Sequence, residues 1–115
     1  MDASALYEGL KQTGYPVTYR EWKEGQEPAL PYVVYFEIEP EFFYADNRVY
    51  ASVNRYAIEL YTANNRSPTA EAVVQARLED LGLPYTKAEV FLEGEDMCEV
   101  LYTVSIVESE SESVS

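Results

Sequence analysis

The chain has 115 residues, 47% of them hydrophobic, which is enough to fill one core and leaves no need for a second domain. Its formal net charge is −13, and its eight basic residues are scattered, which excludes a basic stripe for neutralising phosphates and argues against sequence-specific nucleic-acid binding. No apolar run approaches a membrane span, Met1-Asp2 opens no signal peptide, and the single Cys98 excludes an internal disulfide or a cysteine zinc cluster, so a soluble cytosolic chain without membrane contact is expected.

In chain order, the first predicted element is a short amphipathic helix from Ala3 to about Thr13. Asp2 or Ser4 is the expected N-cap, and Ala3, Leu6, Tyr7 and Leu10 share one face. It should end at "TGYPV" (13–17). The same order of Gly, apolar residue and Pro recurs in "LGLPY" (81–85). In both, Gly takes the left-handed position after the last turn, the apolar residue folds back, and Pro forbids continuation. "VTYREW" (17–22) reads as a strand, "KEGQEPALP" (23–31) as a loop, and "YVVYFEIE" (32–39) as a strand with Tyr32, Val34, Phe36 and Ile38 facing inward.

A strand is expected from Val49 to Thr62, with Tyr50, Tyr56, Ile58 and Leu60 on one face and Val49, Ala51 and Val53 on the other. Its start is apolar on both sides, so either a bulge near Asn54 switches the phase or the odd face meets something else. "SPTAEAVV" opens a second helix, with Ser67 as N-cap, Pro68 at N1 and Glu71 near the positive end. Ala70, Val73, Val74, Arg77, Leu78 and Leu81 form its packing face, with Arg77 as the polar intruder. "YTKAEVFL" (85–92), a turn at "EGED" (93–96) and "CEVLYTVSIV" (98–107) then make a hairpin, in which Cys98 is expected to act as a buried small hydrophobe.

The resulting order, α-β-β-β-α-β-β, predicts a single two-layer α+β domain, mainly antiparallel, with helices on one sheet face over residues 1–107. "ESESESVS" (108–115) cannot bury enough surface to order itself and is expected to be a flexible acidic tail.

Chemistry is sparse. There is no histidine, no phosphate-binding glycine loop and no nucleophile elbow, and the sequence shows no desolvated carboxylate pair in a cleft. No catalytic residue, metal site or cofactor is expected. "EGED" (93–96) and "ADN" (45–47) carry oxygen ligands without the spacing of a calcium loop, and turn chemistry accounts for both. Eleven tyrosines suit half-buried sheets and protein interfaces alike. In "EFFYADNRVY" (41–50), Phe42, Phe43 and Tyr44 are consecutive, and consecutive strand residues point to opposite faces, so one core cannot bury all three. Phe42, Phe43, Tyr44, Val49, Ala51 and Val53 are therefore the expected protein-interface residues.

"ADNRVY", "YAIELYT" and "EGEDMCEVLYTVSI", within a stretch from about Phe36 to Ile106, resemble small proteins of the tail completion or tail terminator class. These are encoded in tailed-phage and prophage structural clusters of Gram-positive bacteria. The resemblance implies an α+β fold around an antiparallel sheet and a ring, usually a hexamer, joining the tail tube to head-tail connector proteins. It implies a place in the virion tail or neck, with host cytoplasm as the site of assembly, and it supplies no catalytic residues. The acidity would then keep a DNA channel from holding phosphates, or simply keep unassembled subunits soluble. A second reading is an acidic nucleic-acid mimic that blocks a basic DNA-binding protein or nuclease, for which Glu21, Glu24, Glu27, Glu37, Glu39 and Glu41 are clustered in sequence. A third is a small-ligand enzyme using tyrosines and carboxylates.

Overall fold

The computed structural model describes residues 3–45, 48–63, 66–92 and 96–109; the side chains of 39–45, 48–52, 91, 108 and 109 are outside that description. Seven elements follow in order: α1 (Ala3–Lys11), β1 (Val17–Tyr19), β2 (Tyr32–Ala45), β3 (Arg48–Ala63), α2 (Pro68–Asp80), β4 (Tyr85–Leu92) and β5 (Met97–Ser109). The five strands form one sheet in the order β1-β2-β3-β5-β4, and the chain is a small α+β domain.

Both helices cover the same sheet face. Leu6 and Leu10 of α1 and Ala70, Val74 and Leu78 of α2 are buried in one cluster with Val33, Tyr35, Tyr56, Ile58, Leu60, Val100, Tyr102, Val104 and Ile106. The register explains this set: Leu60 lies opposite Val33 and Val100, and Ile58 opposite Tyr35 and Tyr102, so one parity of every central strand points at the helices. Where α1 and α2 approach, Gly9 leaves room for Leu81, since a Cβ there would lie 2.6 Å from Leu81 Cδ1.

The helix ends repay comparison. Ser67 Oγ accepts from Ala70 N–H at 3.1 Å, and Pro68 follows at N1, as the sequence predicts. At the other end Gly82 has φ +71°, its N–H donates to Glu79 O at 2.9 Å, and Leu83 N–H donates to Leu78 O at 2.9 Å. That is a Schellman closure, with Leu83 folded back into the core beside Leu78. Gly14 also has positive φ, +86°, but there Thr13 completes the turn: its hydroxyl donates to Leu10 O at 2.7 Å and accepts from Tyr15 N–H at 3.1 Å. Ser4 lies within α1 rather than capping it, and Asp2 is outside the described residues.

The structure corrects several expectations. β1 spans only three residues, because Arg20 adopts φ +71° and leaves the strand. It pairs parallel to β2, Val17 opposite Val33, which the 12-residue segment 20–31 permits by crossing back over the sheet. The inward set of β2 has the other parity: Val33 and Tyr35 face the helices, while Tyr32, Val34, Phe36 and Ile38 lie on the opposite face. A run rich in apolar residues at every position hides its phase, and pairing with β3 sets it. A bulge does lie beside Asn54, but on the partner strand: Ile38 is opposite Arg55 and Glu41 opposite Val53, so Glu39 and Pro40 of β2 face the single Asn54, and β3 does not switch its own phase. β3 and β5 stay in unbroken register from Ala51 to Ala63, and the shifts fall in the β2–β3 ladder between Ile38 and Glu41 and between Phe43 and Tyr44. Pro40, which has no N–H to give the ladder, stands in the first.

β5 runs on through Ser109, pairing with Ala51, so Glu108 and Ser109 belong to the sheet; residues 110–115 are outside the described set. Cys98 is half-buried rather than fully buried. The turn residues 93–95 are outside the described residues, while the hairpin they join, Tyr85–Leu92 with Met97–Ser109, is antiparallel as expected.

Candidate functional site

Two features stand out from the core. The first is the β2–β3 hairpin. β1 pairs with β2 only from Val33 to Tyr35, and among the described residues no strand pairs with the outer edge of β2 from Phe36 to Ala45. At about 3.3 Å per residue, the 14 residues of β2 run roughly 45 Å, close to the molecule's longest dimension of 51 Å. Register places Phe42 opposite Ser52, Phe43 opposite Ala51 and Tyr44 opposite Val49, so five of the six expected interface residues are brought together on this arm. Their side chains lie outside the described residues, as do Asp46 and Asn47. Val53, the sixth, is half-buried and pairs with Glu41 and Val107. Val107 is exposed.

The second feature lies on the sheet face away from the helices. There β2 contributes Tyr32 and Val34, β3 contributes Glu59 and Tyr61, β5 contributes Met97 and Glu99, and β4 contributes Leu92. The 20–31 segment arches beside them with Arg20, Glu21, Trp22 and Glu27, leaving an open cleft of ≈ 370 Å³. Trp22 stands against Tyr32 with ring centroids 5.6 Å apart at 77°, and Tyr32 meets Tyr61 at 5.3 Å. Tyr32 Oη also lies 4.0 Å from Met97 Sδ. The Trp22 Nε1–H is buried and meets no acceptor among the described residues, so ring contacts hold the indole.

Glu99 lies opposite Tyr61 and diagonally from Glu59. It is buried, and burial together with the hydrogen-bonded and like-charged Glu59 carboxyl pushes it up to about 7, against a smaller opposing effect of the Tyr61 hydroxyl. Tyr61 in turn is driven well above the usual phenol range, first by burial and then by the two carboxylates. A carboxyl raised in this way can donate a hydrogen bond near neutrality or release its proton on meeting a positive charge. Sequence reasoning missed this pair. The only signal was an acidic residue on each of two strands, Glu59 and Glu99, whose diagonal placement is visible once β3 and β5 are known to pair.

On the helix side a charged node ties α2 to β4. Arg66 Nε and Nη2 grip the Glu71 carboxylate at 3.0 and 2.5 Å, Lys87 Nζ reaches Glu71 Oε1 at 2.8 Å, and Arg66 also pairs with Glu89. The Arg66 hydrogen bond, with help from Lys87, holds Glu71 below the usual carboxylate range despite its burial. Arg77, the predicted intruder, donates to Gln12 Oε1 at 2.7 Å and pairs with Asp80, linking the helices from the rim.

No cluster of His, Cys, Asp or Glu with metal-binding geometry occurs among the described residues. No helix among them is long and apolar enough to cross a membrane. The sequence matches no protein-family model and no curated protein.

Proposed function

We propose that this chain is a structural subunit of the tail terminator or tail completion kind, joining a phage tail tube to the head connector as a ring of like subunits. The observation that supports it best is the β2–β3 arm, a long ladder whose outer edge beyond Tyr35 meets no strand among the described residues and whose sequence carries Phe42, Phe43 and Tyr44. An edge of this length is a template for strand or side-chain contact with another chain. Ring contacts are heterologous, one surface meeting a different one, and among the described residues β4 forms the opposite edge of the sheet. The net charge of −13 is compatible with a channel that passes DNA without holding it.

The test is native mass spectrometry and light scattering, alone and with tail tubes. A ring, or binding to tube ends, is expected. Phe43→Ala or Tyr44→Ala should weaken it by on the order of 2 kcal/mol while the monomer stays folded. A chain that never associates, and whose monomer these changes unfold, would sink the reading. Glu21, Glu24 and Glu27 are exposed together on the 20–31 segment, which favours the nucleic-acid mimic as the second reading. Tight, salt-sensitive binding to a basic nuclease in the absence of any ring would decide for it.

A further inference from the structure

We propose that the cleft beside the 20–31 segment is a receptor for a guanidinium group, and that its occupant is an arginine side chain presented by a partner protein. This inference is independent of the ring reading.

The cleft combines what a planar cation recognises. Trp22 and Tyr32 form an aromatic corner, with Tyr61 continuing it along the sheet. A cation over such rings is attracted to their negative faces, most strongly by indole. Glu21, Glu27 and Glu59 supply three carboxylates to the same lining, against one resident cation, Arg20, which lies over the Tyr19 ring at 5.5 Å instead. A guanidinium can stack on a ring and pair with a carboxylate through two N–H groups at once, and an ammonium cannot do both.

The depth of the cleft argues for a side chain rather than a free small molecule. Small-ligand sites enclose most of their ligand. This one is open along one side, suited to a group whose backbone stays outside, and Glu24 on the same segment is exposed and adds negative charge beside it.

The Glu59–Glu99 pair gives the site a signature. The groups beside Glu99 are Glu59 and Tyr61 of β3, Val90 of β4 and, around the cleft, Tyr32, Arg20, Glu21 and Glu27. Burial and the neighbouring Glu59 carboxyl raise Glu99, which lies beside the lining residues Glu59 and Tyr61 rather than in the lining itself. A cation paired with Glu59 offsets the like-charge part of that shift, so binding favours proton release from Glu99 and strengthens as pH rises.

Trp22 is the only tryptophan of the chain, so its fluorescence reports directly on the cleft. The probes are capped Gly-Arg-Gly, the same peptide with citrulline for arginine, and methylguanidinium. The arginine peptide should give a saturable change, about fivefold or more weaker for the citrulline peptide and for Glu59→Gln, and stronger at about pH 8 than at about pH 5.5. Calorimetry in buffers of different ionisation enthalpy should show proton release that Glu99→Gln abolishes. Should Glu59→Gln fail to fold, the exposed Glu27→Gln carries the same comparison. Equal binding of the citrulline peptide, or no saturable response up to tens of millimolar, overturns the proposal. Methylguanidinium binding as tightly as the peptide overturns the protein occupant in favour of a free small cation.

Discussion

Glu99 of β5 and Glu59 of β3 sit diagonally on one sheet face, two hydrogen-bonded carboxyl groups of which Glu99 is buried and pushed up to about 7. A carboxyl raised this way binds its proton more tightly folded than unfolded. Its contribution to stability is complete below the ordinary Glu value of 4.5 and is lost as pH climbs to about 7. The span corresponds to on the order of 3 kcal/mol at most. Thermal melts should therefore show lower stability at about pH 8 than at about pH 5.5, with Glu99→Gln flattening that fall. A variant that keeps the full wild-type pH dependence would place its origin in the chain's general negative charge instead.

Glu71 behaves in the opposite sense. Held low by Arg66 and Lys87, it contributes stability that is present above the usual carboxylate range and lost as pH falls through its own lowered value. Glu71→Ala should cost about 2 kcal/mol at neutral pH by urea denaturation, since it strips two cations of a shared, buried acceptor that ties α2 to β4. The difference from wild type should shrink at strongly acidic pH. An unchanged denaturation midpoint at neutral pH would mean that solvent replaces the node at no cost.

Gly82 tests the helix stop. Nothing lies within 4 Å of a Cβ built there, so Gly82→Ala adds no clash and measures the left-handed backbone alone. A loss of about 1 kcal/mol is expected. Gly14→Ala should cost a similar amount, because it too has positive φ and open space around it. A neutral Gly82→Ala would mean that the Schellman closure relaxes to another turn.

Local chemistry was legible in the sequence. Ser67 and Pro68 open α2, Gly82 and Leu83 close it, and the faces of Leu6, Leu10, Val74 and Leu78 follow from the 3.6-residue period, because caps and periodicity depend on residues within one turn of each other. The even face of β3 and the alternation of β5 were legible for the same reason: polar and apolar residues alternate along them, and the pleat does the rest. What the sequence left open depended on partners distant in the chain. The parity of β2 was misread because Tyr32–Ile38 is apolar or aromatic at nearly every position, and only its register against Ile58 and Leu60 selects Val33 and Tyr35 for the core. The parallel pairing of β1, the bulge at 39–40 and the continuation of β5 through Ser109 are likewise properties of the assembled sheet. The cleft was invisible for the strongest version of this reason: Trp22, Tyr32, Tyr61 and Met97 come from four separate stretches of chain. No local rule joins them, and the environment that keeps a proton on Glu99 exists only after β3, β5 and the 20–31 segment have met.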